Sequence, residues 1–297
     1  MRTSTSSSTS DPGPAFPDHC AALAARLRLA HPFPSLLNGL TVVVIALLAG
    51  GSTLAAVRLG LAMTAFQFAI GALNDLVDAP RDIDRVPPKP IPAGLVSMDV
   101  TRLVVVGSAI VGVALALPSG PGTAAVGLLG LGCGVIYDLR LSRTAASWLP
   151  LAIGLPLVPV FAWLGATGNV PPGVLGLVPL AMLAGVGLAI GNALVDVDAD
   201  TFLGRRTIAV ALGRRRAWLV HALTLMVTIL LLLAIGPRGG GALQGALTVS
   251  GIAAVTGGLG LTAMRERSRW RMGWPLEAVG VATLGTGWFI ALASAAP

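Results

Sequence analysis

The sequence predicts an all-α, polytopic membrane protein, a bundle of about nine transmembrane helices around a central cavity that opens at one face. Three observations carry that reading. Of the 297 residues 55% are hydrophobic and only 11% charged, with a mean hydropathy of +0.83, a balance that fits a chain solvated by lipid. From Pro32 onward, Gly, Pro and charge clusters divide the chain into apolar runs long enough to cross about 30 Å of hydrocarbon. The basic residues, finally, gather in alternate loops, as the two faces of a membrane require.

Taken in order, residues 1–30 read as a disordered and interfacial segment. The first twenty positions are rich in Ser, Thr and Pro and contain no apolar stretch. Residues 31–297 form the membrane domain. The first run, 34–50, follows His31, which is placed to line a site mouth but reads better as an interfacial anchor. The second, 54–77, ends in the acidic stretch Asn74–Asp82, and the Pro-rich residues 86–92 separate it from the third, 101–118. Run 122–138 closes at Tyr137, the one tyrosine of the chain. Run 147–165 leads by a Gly/Asn/Pro turn into 174–195, which ends in a second acidic stretch. Arginines 214–216 introduce 217–235, and runs 244–264 and 275–295 flank the basic cluster 265–271. Glycine-rich runs such as Gly127, Gly130, Gly132 and Gly134 suit close helix packing in lipid.

With nine spans, every Lys and Arg except Arg58 and Arg238 falls on one side. Excess Lys and Arg mark the cytoplasmic side. The expectation is an integral, multi-pass protein of a bacterial cytoplasmic membrane, with its acidic stretches facing the cytoplasm. The net charge of +7 then reflects topology and anionic lipid, with no call for nucleic acid. No phosphate-binding G-x-x-x-x-G-K-[ST] loop occurs. The two cysteines, Cys20 and Cys133, and the three histidines, His19, His31 and His221, have no ligand spacing.

The acidic stretches carry the chemistry. Asn74, Asp78 and Asp82 recur every fourth residue, one above another on a helical face, and Asn192, Asp196 and Asp200 repeat the frame behind a later apolar run. An aspartate costs about 2.5–3.5 kcal/mol at the centre of a lipid-exposed helix, so these side chains must face a polar cavity. A row of carboxylates repels itself unless cations bridge it. Oxygen donors at this spacing suit Mg²⁺, which completes its octahedron with water and substrate phosphates. Two such rows can clamp metal ions on a diphosphate from both sides. Pro80 lies between Asp78 and Asp82, where it predicts a kink or a helix end.

These motifs resemble the UbiA superfamily of intramembrane prenyltransferases. Asn74-Asp75-xx-Asp78-xxx-Asp82 is similar to its first motif and Asp196-xxx-Asp200 to its second. The resemblance extends to the turn Lys89-Pro90-Ile91-Pro92-Ala93-Gly94 and to Gly204, Thr207 and Gly213, and so spans residues 32–295. It implies Mg²⁺ held by Asn74, Asp78, Asp82, Asp196 and Asp200. It also implies a prenyl diphosphate whose phosphates meet Lys89, Asn192, Arg85 and one of Arg140 or Arg143, with Tyr137 beside the reacting centre. Arginine at 140 or 143 stands where the family commonly has lysine, a change compatible with bidentate phosphate binding. The implied reaction is ionisation of the allylic diphosphate and capture of the cation by an aromatic or lipid-like acceptor inside the membrane. Two other classes share some of these features. A terpene cyclase would line its cavity with aromatic rings, whereas this chain is 5% aromatic. A transporter would hold its carboxylates near the midplane.

Overall fold

A computed structural model describes residue 29 and residues 31–83, 89–264 and 267–294, and these contain helices and turns but no strand. The long helices are α1 (Pro32–Leu48), α2 (Thr53–Asp78), α3 (Met98–Ala116), α4 (Pro121–Ile136), α5 (Leu149–Thr167) and α6 (Pro172–Val195). The short helices α7 (Val197–Phe202) and α8 (Ile208–Leu212) precede α9 (Arg214–Ile235), α10 (Gly241–Ala263) and α11 (Arg267–Ser294). Eight of these are long and apolar enough to cross a bilayer, and α1 is a shorter apolar helix of 17 residues. The chain is therefore an integral, multi-pass membrane protein. Among the described residues the expected runs correspond to helices α1–α6 and α9–α11. The clearest boundary difference is at α11, which starts at Arg267 and carries Pro275 in its interior. A basic cluster followed by Pro reads as a boundary in sequence, but here α10 packs along that turn and sustains it.

Neighbours in sequence pack as neighbours in space from α1 through α6, then α6 on α9, α9 on α10, α10 on α11, and α11 back on α1. Lipid supplies no hydrophobic force between helices, so contact depends on close fit and on internal polar bonds. The α10–α11 seam shows the first: a Cβ at Gly258 would lie 2.8 Å from the Gly273 carbonyl oxygen, and one at Gly280 would lie 2.9 Å from that of Gly251. In the run singled out on α4, Gly127 packs on Phe66 and Gly134 on Ile70, whereas Gly130 and Gly132 meet open space. Away from the acidic stretches the core is aliphatic with aromatic pairs set in it, Phe66 edge-on to Phe161 at 6.4 Å and Trp163 tilted against Phe289 at 5.7 Å. Arg58, one of the two minority-side cations, donates from Nη1 to the Leu115 carbonyl (3.0 Å) and from Nη2 to Ser119 Oγ (2.8 Å). It thus caps the C-terminus of α3, where a cation complements the helix dipole.

Candidate active site

The helices enclose a cavity of about 610 Å³, within the usual range for a small-molecule site. Its deep walls are aliphatic and aromatic, from Ile45, Phe66, Leu180, Leu225 and Phe289, and its mouth is polar. Both acidic frames reach the mouth, and both do so at the end of a helix. α2 stops at Asp78, where Pro80 shifts the chain into a 3-10 turn, Ala79–Arg81. α6 stops at Val195 and bends at Asp196 (φ −111°, ψ 11°) before α7 resumes. The one-turn register survives each break, since Asp82 N donates to Asp78 O (3.1 Å) and Asp200 N to Asp196 O (2.8 Å). Two helix C-termini, each the negative end of a macrodipole, therefore add to the carboxylates at one place.

A third element completes the mouth. After α4 the chain makes a single π-helical turn, Tyr137–Leu141, closed by Ser142 N donating to Tyr137 O (2.8 Å). Such turns are rare and concentrate at functional sites. The turn buries Asp138, 2% exposed, whose Oδ1 accepts from Asn74 Nδ2 at 2.9 Å. That bond commits the Asn74 amide nitrogen and leaves the amide oxygen as its remaining donor toward a cation. Just beyond, Arg143 joins the two frames. Its guanidinium donates to Asp78 Oδ1 (2.9 Å), while its carbonyl accepts from Arg206 N (3.1 Å), next to Arg205, which pairs with Asp200 (3.1 Å).

Lys89 enters from the Pro-rich turn, where Gly94 (φ 69°) allows the chain to close. Its ammonium lies 2.9 Å from Asp75 Oδ1 and 2.7 Å from Asp82 Oδ2. Burial alone would lower its pKa, but the attraction of Asp75 and Asp82 prevails and holds it above the usual lysine value. At Asp200, burial and the neighbouring Asp196 raise the carboxyl, and Arg205 offsets only part of that.

The donor set fits Mg²⁺. Around the mouth stand the aspartates Asp75, Asp78, Asp82, Asp138, Asp196 and Asp200, against the bases Lys89, Arg143 and Arg205. The excess is negative and the donors are oxygen. Buried Asp138 Oδ2 has no hydrogen-bond partner. Among the described residues no three acidic, His or Cys side chains close on one point as a complete cage.

Of the residues expected from sequence, Asn74, Asp78, Lys89, Tyr137, Arg143, Asn192, Asp196 and Asp200 all line the cavity. Asp82 is not among the lining residues; 5% exposed, it pairs with Lys89, which is. Arg140 points outward and is exposed, since the π turn rotates it away from Arg143. Arg85 lies outside the described residues. Sequence reasoning gave no separate role to Asp75, Asp138 or Arg205, and for His31 it preferred an interfacial anchor to a place at the site mouth. His31 lines the cavity. The aspartate next to Tyr137 was the available signal for Asp138; His31 and Arg205 stand out only through contacts between distant segments.

Residues 37–295 match the sequence model of the UbiA prenyltransferase family. A 4-hydroxybenzoate octaprenyltransferase of Vibrio atlanticus (strain LGP32) is 30% identical over 166 residues, 55% of this chain and 58% of its own length. The alignment thus spans less than two thirds of that enzyme. A digeranylgeranylglyceryl phosphate synthase of Methanopyrus kandleri is 33% identical over 197 residues, 64% of this chain and 70% of its own length. Among solved structures, a UbiA homologue from Aeropyrum pernix K1 superposes with a TM-score of 0.71 at 19% identity, covering 85% of this chain and 96% of that one. A homologue from Archaeoglobus fulgidus bound to DMAPP and Mg²⁺ gives 0.64 at 19% identity, covering 88% and 99%. At that identity the likeness is one of fold.

Proposed function

The chain belongs to the UbiA prenyltransferase family, and on that premise we propose that it transfers a prenyl group from a prenyl diphosphate to an acceptor within the membrane, with Mg²⁺ as cofactor. The observation that carries this reading is that two Asn-xxx-Asp-xxx-Asp frames end two helices at the mouth of one apolar cavity. Asn74, Asp78, Asp196 and Asp200 would hold the metal, with Asn192 beside them. Bound Mg²⁺ supplies Lewis-acid stabilisation of the charge that develops on the departing diphosphate.

The protein's own groups do the rest. Arg143, Arg205 and Lys89 bring cationic donors to the mouth, where they can exchange an aspartate oxygen for a phosphate oxygen as the leaving group gains charge. Asp82 and Asp75 hold the Lys89 ammonium in place. Asp138 holds Asn74. The aliphatic walls take the prenyl tail and keep water from the allylic cation. The relatives' names supply two acceptor classes to try, a phenolic acid and a glyceryl phosphate lipid.

The basic residues Lys89, Arg143, Arg205 and Arg206 cluster at the carboxylate end, which under the positive-inside rule supports a cytoplasmic orientation for that end. To test the activity, purified protein is incubated with Mg²⁺, geranyl diphosphate and either 4-hydroxybenzoate or a glyceryl phosphate monoether, and products are read by mass spectrometry. A geranylated acceptor together with released diphosphate supports the reading. Unchanged geranyl diphosphate, or a cyclised hydrocarbon formed without acceptor, overturns it.

A further inference from the structure

His31 is the one non-glycine residue with positive φ among the described positions (φ 43°, ψ 64°). It also precedes Pro32, and residues before proline favour extended backbone, so the conformation is doubly unfavourable. Side chains held in such strained positions concentrate at functional sites. Here the surroundings enforce it. The His31 carbonyl accepts from Ser35 Oγ (3.0 Å) and from Ser35 N (3.4 Å). The ring lies on Gly71, where a Cβ would come within 3.1 Å of His31 Cδ2. The result is an imidazole that lines the cavity and is 38% exposed, with Nε2 3.3 Å from Oδ1 of Asp75, itself only 3% exposed.

We infer that His31 is the base that removes the acceptor's hydroxyl proton, oriented by Asp75. The inference rests on the prenyl-transfer reading and adds to it a residue and a role. Asp75 Oδ1 accepts from Nε2–H, which fixes the tautomer and leaves the lone pair on Nδ1, the arrangement a base requires. The same Asp75 oxygen is 2.9 Å from the Lys89 ammonium. Asp75 thus ties the ring to the same polar mouth at which Lys89 sits. With Nε2 held by Asp75, Nδ1 is the ring nitrogen left to accept a proton from an acceptor bound in the cavity.

In the step so assigned, the C1–O bond of the prenyl diphosphate breaks and its electron pair leaves with the diphosphate. For a glyceryl phosphate acceptor a lone pair of the hydroxyl oxygen forms the new bond to C1; for a phenol the deprotonated ring bonds C1 through the carbon ortho to the oxygen, and the hydrogen of that carbon returns to the oxygen. The hydroxyl proton passes to Nδ1 of His31 and from there to water at the cavity mouth.

The test uses full-length protein in lipid nanodiscs with geranyl diphosphate, Mg²⁺ and the two acceptors named above. His31→Gly accepts the left-handed backbone without strain, so it retains the local fold. His31→Gln keeps a side-chain amide that can donate to Asp75 but has no basic nitrogen. For both, kcat should fall about a hundredfold, while KM for geranyl diphosphate moves by no more than about threefold. Added imidazole should restore turnover to His31→Gly and leave the wild type unchanged, which a purely structural role would not produce. Retained kcat, a rise in KM for geranyl diphosphate with kcat intact, or failure of imidazole to rescue would each overturn the inference. A wild type that geranylates neither acceptor fails the prenyl-transfer reading instead, and this inference falls with it.

Discussion

Arg143 and Arg140 carry the same charge a few positions apart, yet the π turn gives them opposite surroundings. Arg143 donates to Asp78 and lines the cavity, whereas Arg140 is exposed. A hydrogen bond to a charged group contributes about 1.5–3 kcal/mol, so Arg143→Ala should lower kcat/KM for prenyl diphosphate about tenfold or more. Arg143→Lys should recover only part of this, because an ammonium lacks the planar fork. Arg140→Ala should be nearly silent in the same steady-state assay. Equal losses at both positions would mean that general surface charge, and not a diphosphate contact, is being measured. Sequence could place one of this pair near the diphosphate but could not choose between them, because the choice depends on one extra residue in a helical turn. Asp82 is the converse case. Its spacing matched the frame, and Lys89, delivered by a separate segment, claimed it.

At the scale of elements, the helices were legible because each apolar run carries its own boundary signals. The Pro80 break after Asp78 was legible for the same local reason. What joins the helices was not. Glu277 is 0% exposed in α11, with Oε2 3.1 Å from His221 Nε2 on α9. His221 Nδ1 lies 2.8 Å from the Gly187 carbonyl on α6 and must carry the hydrogen of that bond. The Nε2–Oε2 contact therefore joins two fully buried polar side chains of α9 and α11, each of which would be left alone in a dry interior without the other. Neither residue belongs to a sequence motif; their meaning lies in the packing of three helices. The α10–α11 seam beside them makes a stability prediction. A Cβ at Gly258 would lie 2.5 Å from Glu277 Cγ and 2.8 Å from Gly273 O, whereas Gly260 on the same helix meets open space. Gly258→Ala should therefore cost about 1–3 kcal/mol of overpacking. Gly260→Ala should be neutral or slightly stabilising, by up to about 1 kcal/mol. Thermal unfolding in detergent compares the two, and equal midpoints would contradict the close seam.

For the whole molecule, the governing feature is polarity from end to end, with carboxylates and bases at one mouth and an apolar core away from it. That asymmetry was visible in sequence, since charge clusters and apolar runs alternate along the chain, and with Arg58 and Arg238 as the exceptions it predicts a cytoplasmic mouth. Reporter fusions at residues 90 and 240 should report opposite faces; the same face for both would contradict that topology. A central cavity was expected from sequence, but its size and lining were not legible, because they are what remains when the long helices pack and no single run encodes them. The central claim, that the two acidic helix ends act together on a prenyl diphosphate through Mg²⁺, is tested most directly by Mg²⁺-dependent geranyl transfer in the wild type, Asp78→Ala and Asp196→Ala. Transfer should vanish in excess chelator and return with Mg²⁺. Each single variant should lose about a hundredfold in kcat, and the double variant little more, because the two frames serve one leaving group. Full turnover in chelator, or losses at Asp78 and Asp196 that simply multiply, would contradict a single shared site.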